Sequence, residues 1–597
     1  MSDHTRPTLS ESLSMLFDSL KRGIRSYFIL FLICFGLHLV LILAANIYFL
    51  KDNYWNVCKY LWVHFTNIQS PDWELVRAYM DETIIRPNLA IVKWTSLVWV
   101  MGIASFVGFS RMYSRKIAAT KVVRGPVLKT EEELVEDVKE SKAKVDIMLT
   151  KKLGIPVYIE TGHIGVVGAT GTGKTQTINR IIPGLIKRQN RMIVHELKGN
   201  FFSTFSNDRD LLFCPFDQRH MNKYGGWSIF SSIRTEYDIE TVACALIPDQ
   251  PFARDAFWYV APRQLLTSIL RYCFFTGRTK NRDIWDTLNL SRDDMIKCLK
   301  GIPGAEIGLS HIIDKTKAAS DVKSVLLSYV QSIQYLSDSD GDFVIEDWLK
   351  HGDGSIYILN YPKIKSAMAP VLSLFMELLI KSVNSLDADL HRRIAFIIDE
   401  APQLQKLNSL IDLLTLSRDR GAMNLLAWQT NSQWRKLYGR EDAETILGNL
   451  KSKIVCQLAD VDTCKYFAEN FGEVEELRTL KTTSVAGNHN KESEGHVSYS
   501  EHIHKRDAVS KEDLKRLKVT AESYEAIVKF ANYDAAKIKF PIIRYPKRVR
   551  EFQPKPGVDL DYIKIKWEKL QTEAETIIGE KGKEAEHDQE RCYSHFE

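Results

Sequence analysis

The nine cysteines of this 597-residue chain form no Cys-x-x-Cys pair and no Cys/His spacing suited to a metal. That excludes a zinc module and a disulfide framework and fits a reducing compartment. Charge of one sign is also scarce, with a formal net charge of +5 from 80 basic and 75 acidic residues. No general affinity for polyanions follows, so any nucleic-acid contact must come from local basic residues. A cleaved leader is not expected either, because the first apolar run starts late, is long, and lacks a small-residue cleavage site.

Long apolar runs, in contrast, are present. Residues 27–50 are 24 in number and carry no formal charge, more than the roughly 20 a helix needs to cross a bilayer. Residues 89–109 hold one charge, Lys93 near the start, whose long side chain can reach the interface. Lys21, Arg22 and Arg25 precede the first run, and Arg111, Arg115, Lys116, Lys121 and Arg124 follow the second. The intervening loop 51–88 has four basic and five acidic residues. The positive-inside rule therefore predicts a transmembrane hairpin over 27–110, with segment 1–26 and everything after the hairpin cytoplasmic and loop 51–88 outside.

Beyond the hairpin lies Gly168-Ala169-Thr170-Gly171-Thr172-Gly173-Lys174-Thr175, a complete phosphate-binding loop. The apolar run 163–167 before it reads as a buried strand, and 175–187 has apolar residues at helical spacing, so the motif sits where its mechanism requires. Glycines let the backbone aim its N–H groups at phosphates, Lys174 supplies a charge to the β- and γ-phosphates, and the Thr175 hydroxyl completes a Mg²⁺ shell. ATP and Mg²⁺ are the expected cofactors.

The second half of such a site needs a strand ending in carboxylates. Ile394-Ala-Phe-Ile-Ile398 ends in Asp399-Glu400, where Asp399 can hold Mg²⁺ through water and Glu400 can polarise the attacking water. Gln429 ends another apolar run, 424–429, and can sense the γ-phosphate. Arg418 and Arg420 lie in the segment before it; an arginine presented across a subunit interface can stabilise charge on the transferring phosphoryl group, and a solvated helix end is the alternative use.

Further strands are expected at 191–197, 211–215, 354–360, 393–399 and 453–458, interleaved with helices, which predicts a mostly parallel α/β sheet. Residues 131–152 read as a connecting helix. Between 251 and 336 helical periodicity dominates and no strand is evident, so an all-α domain is inserted into the sheet, closed by a long amphipathic helix over 315–336. Segment 484–510 is rich in Ser, His, Asn, Lys and Glu and reads as a loop; its His489, His496, His502 and His504 share no repeated spacing and join no cysteine. A last hairpin at 525–530 and 536–541 precedes a charged tail, 554–597.

In order along the chain, the paired apolar spans, Arg124-Gly-Pro-Val-Leu, the loop 168–175, Glu196-Leu-Lys-Gly199, Phe257-Trp258, Phe343-Val-Ile-Glu-Asp-Trp348, Asp399-Glu400-Ala-Pro-Gln-Leu, and Gln429 followed by Gln433 and Tyr438-Gly439 resemble the type IV coupling proteins, specifically the TraD-like branch of conjugation systems. The resemblance implies a RecA-like P-loop NTPase domain over 121–250 and 337–553, the inserted all-α domain over 251–336 at a cytoplasmic mouth, and a two-helix anchor in the bacterial inner membrane. It implies a homo-hexamer in which ATP drives single-stranded DNA, with its attached relaxase, toward a type IV secretion channel and that channel's ATPases and inner-membrane components. Lys174 and Thr175 then bind nucleotide and Mg²⁺, Asp399 and Glu400 drive hydrolysis, Gln429 senses phosphate, and Arg418 acts in trans. The tail is where family members recognise relaxosome accessory proteins. One departure stands in 196–200, where Glu196 occupies the family's Asp position and Asn200 a position that is often acidic. Two other functions fit parts of the pattern: a receptor handing protein effectors to a secretion channel, and an FtsK-like double-strand pump. The short anchor, the inserted helices and the lack of a winged-helix module count against the pump.

Overall fold

A computed structural model describes residues 121–250, 254–484 and 496–556, together with scattered positions between 40 and 86. Most of the expected transmembrane hairpin, and all but the first three residues of the tail, lie outside the described residues. The chain divides into two compact units, one of 1–123 with 476–504 and one of 124–475 with 505–597. The first contains most of a three-stranded sheet in the order Lys121–Arg124, Glu473–Ser484, His496–Asp507. The strand His496–Asp507 replaces much of the loop expected over 484–510. Its apolar residues, Val497, Tyr499 and Ile503, fall on one parity of the strand, but they are three among polar neighbours and read as a loop by composition.

The second unit is built on nine strands, β1 (Ile164–Val167), β2 (Arg191–Glu196), β3 (Leu211–Phe213), β4 (Ile356–Leu359), β5 (Ile394–Ile398), β6 (Ala422–Trp428), β7 (Ser452–Val455), β8 (Ser523–Lys529) and β9 (Ala536–Pro541). They form one sheet in the order β9-β8-β7-β1-β6-β5-β2-β4-β3. The seven strands from β7 to β3 are parallel, and the β8–β9 hairpin is antiparallel at one edge. Every residue of β1, β5 and β6 is buried, as apolar runs covered on both faces must be. In β9 burial instead alternates, and Lys539 points to solvent.

Register places the functional ends together. Val167 pairs with Trp428, Leu426 with Ile398, and Ile398 with His195. Gly168, Gln429, Asp399 and Glu196 therefore leave the sheet along one edge, the carboxyl edge where open α/β sheets bind ligands.

Between β3 and β4 every element is helical, including Glu236–Leu246, Phe257–Phe275, Asn281–Asn289, Arg292–Leu299 and Lys317–Val330. Two of these helices start at side-chain caps, with Ser291 accepting from Asp294 N at 3.2 Å and Thr316 from Ala319 N at 3.2 Å. The closing helix ends at Val330 and tightens into a 3₁₀ segment, Gln331–Leu336. The helical stretch extends beyond 251–336 on both sides, from Glu236 to His351.

The helix expected over 131–152 is instead Glu131–Glu140 followed by an antiparallel pair, Val145–Met148 with Gly154–Pro156. Thr130 and Glu133 form a capping box at its start, and Lys142, at φ 53°, turns the chain out of the helix. Among the described residues one helix, Pro362–Asn384, is long and apolar enough to cross a membrane. Its apolar stretch is 67 % buried inside the fold, and its Phe375 stacks on Phe213 of β3 at 3.9 Å, so it is a core helix.

Candidate nucleotide site

The loop after β1 ends on helix α1 (Lys174–Lys187). Gly173, at φ 117°, is its N-cap and leaves the first-turn N–H groups without side-chain partners, the arrangement that binds anions. A Cβ on Gly173 would meet the Tyr524 ring at 2.4 Å, and one on Gly168 would meet Cys456 Cβ at 2.7 Å. Both positions therefore require glycine for close approach. Behind the loop the Tyr524 and Thr177 hydroxyls bond at 2.9 Å, and within it Thr172 Oγ1 donates to Ala169 O at 2.7 Å.

Lys174 is 6 % exposed. Its ammonium donates to Gly168 O at 2.8 Å and Ala169 O at 3.2 Å, and stands 3.3 Å from Glu400 Oε1. Glu400 leaves β5 with φ at 53°, a strained conformation for a side-chain-bearing residue that turns its carboxylate back toward the lysine. The same Oε1 accepts from Gln429 Nε2 at 3.0 Å, and Gln429 Oε1 accepts from Thr170 Oγ1 at 3.2 Å. Gln433 Oε1 fixes the turn by accepting from Gln429 N at 3.2 Å. Loop, carboxylate and strand-end amide are thus one connected cluster.

Two acceptors in this cluster are buried without a partner, Asp399 Oδ1 and Glu400 Oε2. Buried carboxylate oxygens are normally satisfied, and two orphans beside a phosphate loop, with the half-buried Thr175 at the second position of α1, fit an oxygen-liganded Mg²⁺. Burial pushes the Asp399 carboxyl up to about 6, the charge of Glu400 adds to this, and Lys174 opposes it. A divalent cation would reverse the penalty.

His195 supports this cluster from the neighbouring strand, and Glu196, the next residue, caps the helix beside it. Asp399 N donates to His195 O at 3.0 Å, and His195 is fully buried with its pKa lowered by burial to about 4, hence neutral. Glu196 is 1 % exposed and accepts from Phe201 N at 2.8 Å and Phe202 N at 2.7 Å, capping the helix Asn200–Phe205. Burial raises its carboxyl to about 8. The signal for both was present, because each is a polar residue closing an otherwise apolar strand.

Arg418 is not in this cluster. It is exposed, in the turn before β6, at the amino end of the strands, about 20 Å from the loop by strand rise. Buried Asn424 shapes that turn by donating from Nδ2 to Leu413 O at 3.3 Å and lying 3.0 Å from His163 Nδ1. Arg420 instead turns back on Leu416 O and Asp419. Among the described residues no group of three or more His, Cys, Asp or Glu side chains could hold a metal; His489 lies outside the described residues.

A family model described as the type IV secretion-system coupling protein DNA-binding domain matches residues 148–541. The chain is 23 % identical over 401 residues to coupling protein TraD of Escherichia coli (strain K12), covering 65 % of this chain and 54 % of TraD. It is 25 % identical over 275 residues to conjugal transfer protein TraG of Agrobacterium fabrum, covering 42 % of each. It thus spans about half the length of these relatives. Among solved structures it superposes on the unbound bacterial conjugative coupling protein TrwBdeltaN70 with a TM-score of 0.63 at 24 % identity, over 72 % of this chain and 97 % of that one. TrwB in complex with ADP and Mg²⁺ gives the same TM-score of 0.63, over 73 % and 98 %. The shared fold is the RecA-like P-loop NTPase.

Proposed function

The chain belongs to the type IV secretion-system coupling proteins, and from that membership we propose that it is a membrane-anchored ATPase driving single-stranded DNA, with its bound relaxase, into a conjugation channel. The observation that carries the reading is the Lys174–Glu400–Gln429 cluster at the carboxyl edge, with two orphaned carboxylate oxygens beside it. TrwB, whose fold this chain shares, has been solved with ADP and Mg²⁺ and with an ATP analogue.

In this reading the α1 N-terminus and Lys174 bind the phosphates, and Thr175 and Asp399 hold the cation. Mg²⁺, when bound, neutralises phosphate charge and orients the terminal group. Glu400 takes the proton of the attacking water, and Gln429, held by Thr170 and Gln433, keeps that carboxylate aimed. Arg418, at the far end of the strands, reaches a nucleotide only in a neighbouring subunit, so hydrolysis depends on assembly into a ring, expected to be hexameric. The hairpin 27–110 anchors the ring in the inner membrane with both termini cytoplasmic, and the tail 554–597 recruits the relaxosome accessory protein.

The test is ATP hydrolysis by the full chain in detergent, with and without single-stranded DNA, at several protein concentrations, beside Lys174→Ala and Arg418→Ala. Activity that rises with DNA and with concentration and is lost in both variants is expected. Activity indifferent to DNA would move the chain to the protein-effector receptor reading.

A further inference from the structure

After β9 the chain does not leave the fold. Residues 542–556 run as a strap along the carboxyl edge, tied down by backbone bonds. Ile543 N donates to Gln176 Oε1 at 3.1 Å, Arg548 N to Ser203 O at 2.7 Å, and Gln553 N to Asp217 Oδ2 at 2.8 Å. Arg219 Nη1 donates to Arg550 O at 2.8 Å. The strap passes so close to the 197–200 turn that a Cβ on Gly199 would meet Glu551 O at 2.6 Å. That turn carries Lys198, whose charge acts on Asp399.

Tyr545 packs edge-on against Phe205, but the strap's basic side chains over 544–550 face solvent. Lys547, Arg548 and Arg550 are exposed, and among the described residues the Arg548 and Arg550 guanidinium groups have no hydrogen-bond or ion-pair partner. Phe552 stacks on Tyr361, which follows β4, with centroids 4.5 Å apart and planes at 11°. These basic residues and the ring pair line one cavity of about 580 Å³. The only acid on it, Glu551, pairs with Lys547 at 2.6 Å.

We propose that this cavity is a binding site for single-stranded nucleic acid, with Arg548 and Arg550 on successive phosphates and the Tyr361–Phe552 pair offering a ring face to a base. It rests on the DNA-transfer reading above and assigns that reading a location. A solvated basic run needs neither a clamped backbone nor an aromatic floor; free cations beside a stacking platform are the combination that holds single strands without sequence preference. Ile543 ties the strap to Gln176, two residues beyond Lys174, so the strap is hydrogen-bonded to the first turn of the helix that follows the nucleotide loop.

The test uses the full chain in detergent and a fluorescein-labelled oligothymidylate of about 20 nucleotides, longer than one binding site, followed by anisotropy across a salt series. The double variant Arg548→Ala/Arg550→Ala should bind at least about tenfold more weakly, and the slope of log K against log salt should fall by about 1.4, two contacts at about 0.7 each. Arg548→Lys/Arg550→Lys should keep the slope, and melting temperatures check that both variants fold. Wild-type binding with an unchanged slope in the alanine variant would overturn the site and leave the DNA reading standing. No binding by wild type would overturn both. The remaining rival is the chain's own segment 557–597, with eleven acidic and six basic residues. If a peptide of that sequence binds wild type and not the alanine variant while oligothymidylate binds both equally, the site belongs to the tail and the proposal fails.

Discussion

Lys174 Nζ lies 3.3 Å from Glu400 Oε1, so the loop after β1 and the turn after β5 share one ion pair although β6 separates their strands. The pair divides the labour of the site in a way two substitutions can separate. Lys174→Ala removes a charge that meets phosphate in the ground state and the transition state alike, so both ATP affinity and turnover should collapse. Glu400→Gln keeps the size of the side chain and a carbonyl for Gln429 Nε2, and removes the base together with its charge on Lys174, whose ammonium keeps its bonds to Gly168 O and Ala169 O. Turnover should then fall about 10²- to 10⁴-fold with nucleotide affinity, measured by titration calorimetry, within about twofold of wild type on the same argument. A Glu400→Gln protein that still turns over at a tenth of the wild-type rate or better would take the base role from this residue.

Asp399 gives the site an acid limb. Its carboxyl is held up to about 6 by burial and by the Glu400 charge, and only the ionised form can take up a cation. Since kcat/KM reports groups in the free enzyme, kcat/KM for ATP should climb through about pH 6 and flatten above it. Raising free Mg²⁺ should shift that limb to lower pH, because metal and proton compete for the same oxygens. A limb that ignores Mg²⁺ would assign it to another group.

Glu196 makes a prediction about stability. Its carboxyl is raised from an ordinary 4.5 to about 8 by burial, so the folded state binds the proton more tightly than the unfolded chain. The contribution is fully present below about pH 4.5 and is lost as pH rises toward about 8. Glu196→Gln cannot ionise and escapes that loss, although it gives up one of the two acceptors serving Phe201 and Phe202. Its melting temperature should therefore lie below wild type at pH 5 and gain on wild type steadily to pH 8. Parallel curves would show that Glu196 titrates normally.

Much of this site was legible because its residues are contiguous in sequence. The phosphate loop occupies eight consecutive residues, and Ile394–Ile398 announces both its burial and its acidic end. Parallel strands covered on both faces are short apolar runs, and these were found within a few residues. Three things were hidden for separate physical reasons. The Val145–Met148 strand is only four residues long, too short to show its period. The support that His195 gives Asp399 exists only through the register of β2 beside β5, which no local pattern encodes. The strap 542–556 is held by backbone N–H groups on distant acceptors, and such bonds leave the side-chain pattern unmarked.

The glycines of the phosphate loop differ in what they tolerate. Gly171, at φ 79°, has open space where a Cβ would go, so Gly171→Ala meets only the backbone cost of a left-handed conformation, about 1–2 kcal/mol. Gly173, at φ 117°, adds to that cost a Cβ placed 2.4 Å from a Tyr524 ring carbon. That ring cannot swing away freely, because it is 1 % exposed, stacks on Phe540 at 5.2 Å, and bonds Thr177 through its hydroxyl. Gly173→Ala should therefore abolish binding of a fluorescent ATP analogue, whereas Gly171→Ala should weaken it about tenfold, which is the strain energy expressed as an equilibrium. Tyr524→Phe, which keeps the ring and loses only the hydroxyl, should cost about 1 kcal/mol of stability and leave nucleotide binding intact. Combining it with Gly173→Ala should rescue nothing, because the clash is with the ring; recovery of binding in Gly173→Ala/Tyr524→Ala, where the ring is gone, would identify that contact as the cause, and its absence would place the defect in the loop's backbone alone.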